Sequence, residues 1–90
     1  MEWRYIRFED IPSRDEFEQL TLDLLRQGVT NSDRMREEIR QSRKLIFRRV
    51  TNNFNEPDGK FVNEHAWVLE SLMVRKVIEK IQKMEYRLRA

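Results

Sequence analysis

Phe17, Leu20, Leu24 and Leu25 recur at helical spacing behind Pro12, with acidic residues gathered at the start of the stripe. Ser13, three residues before Glu16, forms a capping box, and Gly28 supplies the stop. A first helix is therefore expected between them. Thr30 or Asn31 caps a second helix, in which Met35, Ile39, Ser42, Ile46 and Val50 keep helical intervals. That spacing predicts a helix over 32–50, with a break near Ser42 as the alternative. Residues 51–59 are dense in turn formers and read as a loop, with Pro57-Asp58-Gly59 as its turn. A third helix over 61–76 carries Phe61, Val62, Trp67, Val68, Leu69, Leu72 and Met73. Residues 3–8 mix aromatic, β-branched and Arg positions without clean alternation, which suits a short strand or an extended arm.

The last segment supports two patterns. Val77-Ile78-Glu79-Lys80-Ile81 and Glu85-Tyr86-Arg87-Leu88 can pair as antiparallel strands around a turn near Lys83-Met84. Val74, Ile78, Ile81, Met84 and Leu88 also share one helical face, and the turn lacks Gly, Asn or Pro. Periodicity alone leaves both open. The first pattern gives a mainly α fold with a small antiparallel ribbon, a winged helix-turn-helix. The second gives an all-α bundle with a long C-terminal helix.

Composition narrows the function more than the fold. Ninety residues without Cys exclude disulfides, thiolate metal sites and a cysteine nucleophile, and imply one small domain. No apolar run is long enough to span a bilayer and no secretory h-region is present, so a cytoplasmic location is expected. The net charge of +2 hides a split: residues 1–33 hold four arginines against eight acids, whereas 34–49 hold seven basic residues against two acids. Residues 75–89 hold six basic residues against two acids. Two basic segments in one short chain point to an anionic partner.

Gly59, Phe61, Asn63, Trp67, Leu72, Val77-Ile78 and Tyr86-Arg87-Leu88 follow a recognisable order. In that order they resemble the N-terminal winged-helix domain of Mrr-type restriction endonucleases and related restriction proteins. Ile11-Pro12 ahead of a Leu-rich helix is similar to that family's opening. The resemblance is good over about 28 positions and loose over about 80. It implies a winged helix and DNA binding. The chain departs from the family at Lys76 and Met84, where glycine is usual. The family's nuclease domain has no counterpart in these residues, so cleavage is not implied.

Candidate contacts follow from the charge pattern. Arg36, Arg40, Arg43 and Lys44 on the second helix, extended by Arg48 and Arg49, are spaced to reach successive phosphates. The competing reading is a solvated helix face, with Glu37 and Glu38 paired locally to Arg40 and Gln41. Lys60 and Asn63 lie at the start of the third helix, where groove contacts are made, although Asn63 also suits a helix cap. Lys80, Lys83, Arg87 and Arg89 would meet the adjacent backbone from the ribbon, or simply charge its edge. His65, the only histidine, is expected at the surface or boundary. Trp67, Leu69, Leu72 and Met73 are expected in the core against Phe17, Leu20 and Leu24. No phosphate-binding glycine loop, nucleophile elbow or metal-ligand set is visible, so neither catalysis nor a cofactor is expected. The partner expected is double-stranded DNA. The alternative is a charged protein, with the chain acting as an interaction module, a regulatory subunit or a homodimer.

Overall fold

The computed structural model describes residues 2–89; Met1 and Ala90, the two ends of the span read as one domain, lie outside the described residues. Among the described residues the order is β1 (Arg4–Tyr5), a 3-10 turn (Phe8–Asp10), α1 (Arg14–Arg26), α2 (Ser32–Ser42), β2 (Leu45–Ile46), α3 (Pro57–Val74), β3 (Ile78–Gln82) and β4 (Glu85–Leu88). The fold is thus three helices with a small antiparallel pair, β3 against β4, and a two-residue parallel pair, β1 against β2.

Each helix begins where its local chemistry directs. Ser13 Oγ accepts from the Glu16 amide at 3.2 Å, and the chain leaves α1 through Gly28 at φ +91°. Asn31 Oδ1 accepts from the Arg34 amide at 3.0 Å and caps α2. The expected helix over 32–50 stops at Ser42, so the break near that residue is the outcome observed. Ser42 Oγ donates to the Ile39 carbonyl at 2.8 Å, and Lys44 turns the chain at φ 56°. Leu45 is then free to enter the core while Leu45-Ile46 pairs with Arg4-Tyr5. The extended arm at the start is in this way drawn into a strand.

α3 starts four residues earlier than the expected 61. Pro57 occupies the first helical turn, where its missing N–H costs nothing, so Pro57-Asp58-Gly59 is helix and not the tip of a loop. The helix ends at Val74, and Lys76 reverses the chain at φ 62°.

The segment from Ile78 to Leu88 is a ribbon, which rules out the long C-terminal helix. Ile78 faces Leu88, Glu79 faces Arg87, and a bulge between Lys80 and Gln82 sets Ile81 outside the ladder. Its turn is Lys83-Met84, with Met84 at φ 66°. The ribbon is bound to the α1–α2 junction. The Ser32 amide donates to the Met84 carbonyl at 2.8 Å, the Tyr86 amide to the Thr30 carbonyl at 3.0 Å, and Asn31 bridges Glu85. Thr30 Oγ1 and Asn31 Nδ2 both donate to the Glu85 carboxylate, at 2.8 and 2.7 Å.

One apolar cluster joins these parts. Phe17 of α1 meets Phe61 of α3 at 5.0 Å between ring centroids, and Phe47 meets Phe61 edge-on at 5.6 Å. Met35, Ile39, Leu45, Leu72, Ile78 and Tyr86 close the remaining sides, with Leu20 and Leu24 packed against them. The buried face of α3 runs through Phe61, His65, Val68, Leu69 and Leu72. Two expectations fail on that face. Trp67 lies off it and is 59% exposed, whereas His65 lies on it and is 0% exposed. No helix of the described residues is long and apolar enough to cross a membrane.

Candidate nucleic-acid interface

The outward face of α3 is shaped by what anchors its first turn. Asp58 is buried and its Oδ2 accepts from the backbone amides of Arg48 and Arg49, the latter at 3.0 Å. Gly59 lies so close to Asn53 that a Cβ there would stand 2.1 Å from the Asn53 carbonyl oxygen. Asn63 does not cap the helix. Its Nδ2 donates to the carbonyls of Asn52 and Gly59, both at 2.8 Å, and ties the loop to α3. These contacts hold the 51–56 loop against the helix and place Phe54 beside Lys60, Asn63, Glu64 and Trp67, which together line one small cleft. Arg14 contacts two of the lining residues, its Nε 3.0 Å from Glu64 Oε2 and its guanidinium 5.0 Å from the Trp67 ring centroid.

The basic stretch over 34–49 is not one patch. Arg36 is only 13% exposed at its side chain, pairs with Asp33, and approaches His65 Nδ1 at 3.1 Å. Arg40 lies 4.2 Å above Phe47, with its Nε buried and unbonded. Arg43 pairs with Glu16 of α1 at 3.1 Å, and Lys44 is likewise engaged within the fold. Arg48 lies over Tyr5 at 4.4 Å, and Arg49 pairs with Glu56. The expected local pairing of Glu37 and Glu38 holds for Gln41 and not for Arg40. Gln41 donates to Glu37 at 3.0 Å, and Arg34 reaches Glu38 at 3.4 Å. Break-up of the row follows from the short α2: once the helix ends at Ser42, Lys44, Arg48 and Arg49 no longer continue its surface.

The ribbon is different. Lys80 and Lys83 are exposed and have no ion-pair or hydrogen-bond partner among the described residues. Lys76, at the turn into the ribbon, is exposed in the same way. Arg87 is held across the strands by Glu79, a pair that lies on the ribbon surface. At the start of α3, Lys60 stands 5.9 Å over the Phe8 ring and is otherwise exposed.

His65 is the group that sequence reasoning misplaced most. Its Nδ1 faces the Arg36 guanidinium, which can only donate, so Nδ1 accepts and Nε2 carries the proton toward Thr21 Oγ1 at 3.2 Å. Phe17 stacks on the ring at 5.2 Å. Burial pushes the imidazole down to about 3, and the Arg36 charge adds to the effect. It is a neutral hydrogen-bonding core residue. Spacing could have found it, because positions 61, 65, 68 and 72 make one helical stripe that omits 67.

On the opposite side Asp10 accepts from both Arg4 guanidinium nitrogens and from the Arg7 amide, which holds its carboxyl below the usual range. Among the described residues no three His, Asp or Glu side chains are grouped so as to hold a metal ion. No family model, curated protein or solved structure matches the chain.

Proposed function

We propose that the chain is a small winged-helix module, a regulator that binds double-stranded DNA without acting on it chemically. The observation that carries this reading is the β3–β4 ribbon, which follows α3 directly and presents Lys80 and Lys83 with no partner among the described residues. In this reading α3 enters the major groove by its first turns and the ribbon rests on the adjacent backbone. The bridge from Asn31 to Glu85 supports the topology, because it gives the ribbon a minimal third strand from the α1–α2 junction. Lys76 and Met84 add to it. Both adopt the left-handed backbone that glycine fills at those positions in the restriction proteins the sequence resembles.

Phosphate contacts then shift from α2 to four lysines, Lys60, Lys76, Lys80 and Lys83. Four neutralised phosphates give a slope of log affinity against log salt of about −3.6, or roughly a 100-fold loss over a fourfold rise in salt. A fluorescence-anisotropy titration of a duplex at several salt concentrations measures it. Lys80→Ala with Lys83→Ala is expected to flatten the slope by about 1.8 and to weaken all sequences alike. Absence of binding at low salt, or an unchanged slope in the double variant, contradicts the reading.

A second reading is a protein-interaction or self-associating module, and one observation favours it. Tyr5 of β1 and Ile46 of β2, with Trp3 just before β1, are large exposed apolar side chains at a short sheet with an open edge. A sedimentation mass of two chains, combined with no DNA binding, would establish it over the first.

A further inference from the structure

We infer that the cleft between Phe54 and Trp67 receives one unpaired nucleobase, so that the module prefers DNA with a single-stranded overhang to uninterrupted duplex. The inference rests on the DNA-binding reading and adds the form of DNA to it. The cleft has a volume of about 260 Å³ and is lined by Phe54, Lys60, Asn63, Glu64 and Trp67. That is below the range for a drug-sized ligand, and suits a single planar ring system. Phe54 is 66% exposed and Trp67 is 59% exposed, although both rings would gain from burial. Two aromatic surfaces left open on one small cleft are what stacking on a base requires.

The polar groups favour a nucleotide over an apolar peptide. Glu64 is neutralised by Arg14 at 3.0 Å, so Lys60 leaves the cleft with one net positive charge, the complement of the phosphate attached to a base. Asn63 has both amide hydrogens engaged at 2.8 Å, which leaves its Oδ1 as an acceptor for an exocyclic amine. The site is also held ready. Arg14 steadies the Trp67 ring, and the Asn63 bonds fix the loop that carries Phe54. A base inside a duplex is stacked on both faces and cannot enter, so only an unpaired one fits the cleft. Because every base has a π-face, the main preference is for strand form, and the Asn63 acceptor adds a bias toward bases with an exocyclic amine over thymine.

The test compares a blunt duplex with the same duplex carrying a single-stranded overhang, by anisotropy with the full chain at low salt. The overhang is expected to bind about tenfold tighter. In a Trp3→Phe background Trp67 is the sole tryptophan, and its emission is expected to be quenched by the overhang alone. Trp67→Ala is expected to bind both probes at the blunt-duplex level with an unchanged circular-dichroism spectrum, while Trp67→Phe keeps the preference. Equal binding of both probes by the unaltered chain overturns this inference and leaves the DNA reading standing. A preference that survives in Trp67→Ala also overturns the inference. Failure to bind either probe overturns both.

Discussion

Gly59→Ala is expected to destabilise the fold by about 2–4 kcal/mol and to lower Tm by about 10–30 °C. Helix propensity alone predicts the opposite sign, since alanine gains up to about 1 kcal/mol over glycine inside a helix. Contact decides the matter here. The added Cβ would stand 2.1 Å from the Asn53 oxygen, 2.5 Å from its carbonyl carbon and 2.6 Å from its nitrogen. All three are backbone atoms, so no side chain can swing aside. The loop must leave α3, and it takes with it the Asn63 bond to the Asn52 carbonyl and the seat of Phe54. Gly28→Ala provides the contrast. No atom lies within 4 Å of its added Cβ, and the cost is that of a left-handed alanine, about 1 kcal/mol. Thermal melts of the two variants read the difference. Equal melts would mean that the loop does not sit on the first turn of α3.

Stability is expected to fall by about 2 kcal/mol between pH 7 and pH 5, a window in which Asp and Glu remain ionised in the unfolded chain. His65 is the cause. In the fold its imidazole is held down at about 3 by burial, whereas in the unfolded chain it takes a proton near 6.5. Below 6.5 the unfolded state therefore binds the extra proton. The stabilisation is complete above pH 6.5 and declines by about 1.4 kcal/mol per pH unit until the folded value near 3 is reached. Asp10, held low by Arg4, adds a further loss only at more acidic pH. Urea unfolding at pH 7, 6 and 5 measures the decline. His65→Gln keeps an acceptor for Arg36 and a donor for Thr21, and is expected to remove the dependence across this window. A flat profile in the unaltered chain would contradict the buried, neutral imidazole.

How much of this was legible in the sequence depended on where chain reversals fall. Ser13, Asn31 and Gly28 announce their helix ends by side-chain chemistry, and those boundaries hold. Lys44, Lys76 and Met84 reverse the chain at positive φ without being Gly or Asn, so no local propensity marks them. The overlong second helix and the ambiguity at the C-terminus both come from those three positions. Local backbone bonds close two of them, from the Lys44 amide to the Gln41 carbonyl at 3.1 Å and from the Lys76 amide to the Met73 carbonyl at 2.9 Å, and tertiary contacts hold them, such as the Ser32 amide on the Met84 carbonyl and the burial of Leu45. The same long-range effect governs the charges. Arg36, Arg40, Arg43 and Arg49 look like one basic row in the sequence, but their partners lie on α1, on α3, at Phe47 and at Glu56. On the ribbon, Arg87 is taken up by Glu79 across the strands, whereas the Lys80 and Lys83 side chains stay exposed with no partner among the described residues.

The most direct test is an amide chemical-shift map of the isotope-labelled chain as duplex DNA is added at low salt. The largest shifts are expected in 60–67 at the start of α3 and in 76–84 of the ribbon, with Arg36 and Arg40 nearly silent. Shifts confined to 3–8 and 45–50, or centred on the α2 arginines, would contradict it.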